Sequence, residues 1–158
     1  MVKKILCIAV CGAMLVANGE QYTNVVQVLN MPLTVDALNL INESDVSTPD
    51  RVFLAFLKSC CQGQLNSFLS LFTDGFLKSE FGVQNKDDFT SGDALDFQGF
   101  FNDSAVTNKT LVSYNCVISG NVAHVTSTLN LVTRNRSVNE EFDMDIVQTN
   151  GVWKINQW

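Results

Sequence analysis

The final third of the chain alternates. Residues 111–118, 122–133, 137–148 and 152–158 are rich in β-branched side chains and place apolar ones at every second position, the period of a strand with one buried face. Ser119-Gly120-Asn121 and Thr149-Asn150-Gly151 separate runs with tight-turn residues. Residues 133–137, which include two arginines, read as the middle hairpin turn. Runs of this length joined by turns this short can only fold back on their neighbours, so the sequence predicts an antiparallel meander of four strands.

Upstream the period changes. Val52, Phe53, Phe56, Leu57, Cys60 and Cys61 recur at spacings of three and four, which predicts a helix with one apolar face. Ser47 or Thr48 can cap it, Pro49 fits its first turn, and Gly63 ends it. A second helix carries Leu65, Phe68, Leu69, Leu71 and Phe72 and is expected to stop at the Asp74-Gly75 turn. Residues 76–81 read as a short strand. Residues 85–101, with Phe89, Leu95, Phe97, Phe100 and Phe101, read as a third helix or a helical turn. Helices first and strands afterwards make an α+β fold, with two or three N-terminal helices packed on an antiparallel sheet.

The first nineteen residues have a different character. Lys3 and Lys4 precede an uncharged apolar run from Ile5 to Val16, followed by small residues before Glu20. This is the layout of a secretory signal. The run is about 12 residues long, short of the ~20 that span a bilayer, so no membrane span is expected and the mature chain is expected to be secreted. Residues 20–47 read as an N-terminal extension, with an extended piece at 25–29 and a short helix at 35–41 on either side of Pro32. Residues 48–158 read as the domain proper.

Without Lys3 and Lys4, eight basic residues face sixteen acidic ones. No basic cluster is available to neutralise phosphates, which argues against a nucleic-acid partner. Removal of the signal also leaves three cysteines, Cys60, Cys61 and Cys116. In an oxidising compartment one bond from Cys116 to Cys60 or Cys61 would leave a single thiol; the other reading makes all three small core residues. Four Asn-x-Ser/Thr sequons stand at Asn42, Asn102, Asn108 and Asn135, each a candidate for glycosylation in a secreted chain.

The order of these features resembles the nuclear transport factor 2-like superfamily, to which ketosteroid isomerases and small polyketide cyclases belong. The resemblance is carried by Arg51-Val52-Phe53-Leu54-Ala55-Phe56-Leu57, by Gln62-Gly63-Gln64-Leu65, by Leu71-Phe72-Thr73-Asp74, and by Asn150-Gly151-Val152-Trp153-Lys154-Ile155 in the last strand. It covers residues 48 to 158. It implies a curved sheet wrapped around the helices, a cone-shaped α+β barrel with an apolar mouth, and homodimerisation through the open sheet face.

The isomerases of that superfamily use a tyrosine and a late-strand acid as an oxyanion hole and a second carboxylate as base. Such chemistry needs donors aimed at the growing enolate and a base within reach of carbon. The tyrosine position falls on Phe56, which has no hydroxyl. The base position falls near Glu80, and the late acid near Asp145. Phe142, Met144 and Ile146 form the apolar face of their strand, so Asp143 and Asp145 are expected to point away from the core. His124 alternates with Val122, Thr126 and Thr128, opposite Val125, Leu129 and Leu131, and is expected on the outer face. One histidine and three cysteines make no spaced zinc motif, and no serine elbow, phosphate loop or calcium loop occurs, so neither metal nor cofactor is expected.

The expected role is therefore binding rather than catalysis: a small apolar molecule in the cone, lined by Phe56, Phe72, Phe76 and Phe97, or a protein on the sheet face. The rival is an isomerase- or cyclase-like enzyme with Glu80 as base and Asp145 or Tyr114 as helper. An aromatic core is the competing explanation of the phenylalanines, since burying such rings is the main driving force the chain has.

Overall fold

A computed structural model describes residues 22–23, 27–82 and 106–158. Two short strands, β1 (Tyr22–Thr23) and β2 (Gln27–Pro32), precede four helices: α1 (Val35–Asn39), α2 (Pro49–Gln62), α3 (Leu65–Ser70) and α4 (Asp74–Phe81). Four long strands close the chain: β3 (Val106–Ser119), β4 (Val122–Thr133), β5 (Ser137–Thr149) and β6 (Val152–Gln157). The fold is α+β. All strand pairings are antiparallel, in the order β1-β3-β4-β5-β6, with β2 also on β3. The expected meander is β3 to β6. The sheet is open, with β6 on one edge and β1 and β2 on the other, and does not close into a barrel.

Local chemistry accounts for the helix bounds. The Thr48 hydroxyl accepts from the Arg51 N–H at 3.3 Å, Pro49 occupies the first turn, and Gly63 ends α2 in the left-handed region at φ 67°. Asn150 and Gly151 both have positive φ, as a two-residue hairpin turn twisted to match its strands requires.

Three expectations are corrected. Residues 76–81 are not a strand but most of α4. Thr73 caps that helix, its hydroxyl accepting from the Phe76 N–H at 3.2 Å, and Asp74 sits in the first turn, where a carboxylate complements the helix dipole. Asp74-Gly75 is thus the start of a helix and not a turn between elements. Residues 20–47 are more than an extension laid on the domain: β1 and β2 join the sheet itself. The extended piece runs on to Pro32, which is the last residue of β2 rather than a spacer before α1. The third helix expected over 85–101 lies outside the described residues.

The helices cover one face of the sheet. Val52, Phe53, Phe56, Leu57 and Cys60 from α2 meet Phe68, Leu69, Leu71, Phe72, Phe76 and Leu77 from the next two helices and Leu71–Phe72. Ala123, Val125, Leu129, Met144 and Ile146 cover them from the sheet. At about 1.5–3 kcal/mol for each large apolar side chain fully buried, this layer dominates stability. Trp158 closes it, with ring centroids 5.1 Å from Phe72, 5.6 Å from Phe76 and 5.8 Å from Phe81. Among the described residues, no helix is long and apolar enough to cross a membrane.

Candidate functional site

The face of the sheet turned away from the helices is built by register. Val117 pairs with His124, which pairs with Asp145. The next outward row is Asn115, Thr126 and Asp143, and the one after it is Ser113, Thr128 and Glu141. A bulge between Leu111 and Ser113 keeps these rows in phase: Leu111 faces inward against Leu129, and the extra residue lets Ser113 face outward.

These rows frame a shallow depression of about 170 Å³, lined by Ser113, Asn115, Thr126, Thr128, Glu141 and Asp143 together with the intervening Tyr114, Ser127 and Phe142. Among the described residues no helix residue lines it, and six of its nine lining residues belong to the outward rows. The outward rows bring hydroxyls, an amide and carboxylates to it, beside Tyr114 and Phe142, a mixed lining that can hydrogen-bond the surface of a partner.

His124 sits beside the depression, with Nδ1 3.0 Å from Asp145 Oδ1 and Nε2 3.4 Å from Asp143 Oδ1. Both ring nitrogens are thus turned to carboxylates. The three side chains are substantially exposed, Asp143 at 73%, so each pair contributes at most about 1 kcal/mol. This cluster was not anticipated from the sequence, although the signal was there. A turn over 133–136 sets residue 132 opposite 137, and the same register carries 124 to 145.

The inner face contains a second polar group. Tyr114 donates a 2.5 Å hydrogen bond to Asp50 Oδ1 in the first turn of α2, and its ring lies 5.0 Å from that of Phe53. Burial, then the neighbouring carboxylate, pushes the Tyr114 phenol far above its ordinary range. Burial, then Asp50, raises the Cys116 thiol to about 11. The phenol is therefore neutral, its proton directed at Asp50, and it is in no position to act as a base or to serve Glu80.

The expected catalytic residues are not brought together. Glu80 is exposed on α4. Asp145 faces outward beside His124, on the opposite side of the sheet from the helices. Phe56 and Phe72 are 0% exposed and Phe76 is 5% exposed. Phe56 packs against Phe68, Phe142 and Trp158 at centroid distances of 5.9–6.0 Å, and Phe76 stacks on Phe72 at 5.5 Å. These three rings fill a core, and none of them lines the depression. Phe97 lies outside the described residues.

No disulfide joins the three cysteines. Asp50 acts on Cys116 at one end of α2, whereas Lys109 acts on Cys61 at the other. In place of a bond from Cys116 to Cys60 or Cys61 there are free thiols, two on α2 and one on β3. Burial pushes Cys60 well up and Cys61 to about 11.

Of the sequons, Asn42, Asn108 and Asn135 are exposed, and Asn102 lies outside the described residues. Among the described residues no group of three His, Cys, Asp or Glu side chains is arranged to hold a metal ion. No protein-family model, no curated protein and no solved structure matches this chain.

Proposed function

We propose that this chain is a secreted, non-catalytic binding module that presents the outer face of its sheet to a protein partner. The observation that carries the reading is the division between the two faces. The inner one is packed with aromatic side chains, while the outer one offers a polar depression of about 170 Å³ framed by Ser113, Asn115, Thr126, Thr128, Glu141 and Asp143. Export is supported by the basic start and short apolar run of residues 1–19. Kinship with nuclear transport factor 2-like chains, and the cone of that superfamily, remain part of the proposal. They are supported by helices packed on one sheet face and by irregularities in β3 and β6 that bend strands. A second copy of the chain is one partner that the resemblance suggests.

Native mass spectrometry of secreted protein, beside the same sample denatured, tests the reading. The expected species are the chain alone, a second copy bound to it, or a protein complex. Thr126→Arg, which places a long charged side chain in the depression, is expected to dissociate any such complex. A small molecule that leaves on denaturation would overturn the reading and return the function to the interior.

A further inference from the structure

We infer that Asn42, Asn108 and Asn135 carry N-linked glycans and that those at Asn108 and Asn135 wall off one end of the outer sheet face. The inference rests on the secreted reading above. Each asparagine is exposed and has its hydroxyl residue two positions on, at Ser44, Thr110 and Ser137. A branched sugar at any of them would extend into solvent without displacing the core.

Each site has its own local geometry. Asn42 lies between α1 and α2, where its Oδ1 accepts from the Ser44 N–H at 3.3 Å and from the Ser44 hydroxyl at 2.8 Å. Its Nδ2, the atom that would be modified, has no hydrogen-bond partner among the described residues. Asn135 stands in the β4–β5 hairpin turn, its backbone N–H directed at the Thr133 hydroxyl 3.4 Å away. Asn108 lies near the start of β3, paired with Val132 at the end of β4 that leads into that same hairpin. Asn115, further along β3, is a useful contrast: it is followed by Cys116-Val117, is not a sequon, and its Oδ1 is buried.

The β3–β4 pairing brings Asn108 and the hairpin bearing Asn135 to the same end of the sheet. From Val132 to Thr128, where the depression begins, is four strand residues, about 13 Å. Glycans at these two positions would flank the depression and leave the His124 end as the open approach for a partner.

In the transfer, Nδ2 of the asparagine displaces a lipid diphosphate from the anomeric carbon of an oligosaccharide carried on it. A C–N bond forms, the C–O bond to the diphosphate breaks, and the amide gives up one proton as the lipid diphosphate leaves. No oxidant or reductant is involved.

The test expresses the full chain in a eukaryotic secretory host in two forms, one with its own residues 1–19 and one with these replaced by a leader of proven efficiency. Protein from the medium is weighed intact before and after peptide N-glycosidase, which converts each formerly glycosylated asparagine to aspartate. Aspartate at all three sites is expected, with Asn135→Gln lowering the mass by one glycan. Leader-driven protein with the bare polypeptide mass, or with asparagine retained at any of the three sites, overturns the inference. Retention of the first form in cells while the second is exported and glycosylated would sink the secretion reading alone.

Discussion

The two faces of one sheet solve different problems with the same strands. On β4, Ala123, Val125, Leu129 and Leu131 point inward and are buried, while His124, Thr126, Thr128 and Asn130 point outward and remain partly or fully exposed. Inward, side-chain volume decides, and rings from α2, α3, α4 and Trp158 interlock. Outward, hydrogen-bonding capacity decides, and cross-strand neighbours are small or charged. If the outer face is the binding surface proposed above, stability and recognition are separable: a substitution on one face should register in unfolding and one on the other in binding.

The strongest way to break that division is Phe56→Ala. Removing a fully buried ring that packs on Phe68, Phe142 and Trp158 is expected to cost about 3–5 kcal/mol in urea unfolding. A cost below about 1 kcal/mol would mean that the aromatic layer is not the core.

Tyr114→Phe is expected to cost about 1.5–3 kcal/mol, because it removes the hydrogen bond to the Asp50 carboxylate while keeping the ring on Phe53. The same residue governs the alkaline limb. Cys61 and Cys116 are raised from 9.0 to about 11, and the Tyr114 phenol is raised further. A raised acid favours the fold fully below its unfolded value, and that contribution fades as pH climbs toward the folded value. Unfolding free energy should therefore fall as pH rises from 9 to 11 and beyond, and fall less steeply in Cys116→Ala and, above pH 10, in Tyr114→Phe. A flat profile over that range would contradict the burial of these groups.

Ser127 sharpens the comparison from the other side. It is an inward residue at 4% exposure whose hydroxyl has no hydrogen-bond partner among the described residues, so Ser127→Ala is expected to raise stability by about 1 kcal/mol. A loss of stability would show that the hydroxyl is satisfied. The smallest effect belongs to His124→Gln on the outer face. Its exposed pairs with Asp143 and Asp145 should leave the midpoint within about 0.5 kcal/mol of the parent, and a larger shift would assign the outer face a structural task.

What the sequence made legible follows from the range of the forces involved. β3 to β6 were visible because each residue's fate alternates with its neighbour's, and α2 because Thr48, Pro49 and Gly63 punctuate it locally. α4 was hidden by Asp74-Gly75, a pair that serves a helix start as readily as a turn; the decisive partner, the Thr73 hydroxyl, is a single atom. The joining of β1 and β2 to β3 depends on pairing across some eighty residues of chain and has no local signature. The outward course of Asp145 was readable from Phe142, Met144 and Ile146, yet its meeting with His124 required the hairpin register. Phe56, Phe72 and Phe76 were legible as apolar but not as core or cavity lining, since sequence records that a ring is buried and not what lies against it.

The last strand's outer edge has a further consequence. The Ile155 N–H donates to the Leu71 carbonyl at 2.8 Å, and the Thr73 N–H donates to the Ile155 carbonyl at 2.9 Å, so the chain between α3 and α4 occupies the hydrogen-bonding groups of β6 at its centre. On the opposite edge, β2 has an irregular register between Val28 and Met31, Asn30 at φ 43°, and Pro32 at its end. Neither border offers a long, regular ladder to an incoming strand, and such ladders are the templates on which sheets polymerise. The described borders of the sheet thus disfavour growth edge to edge into fibrils.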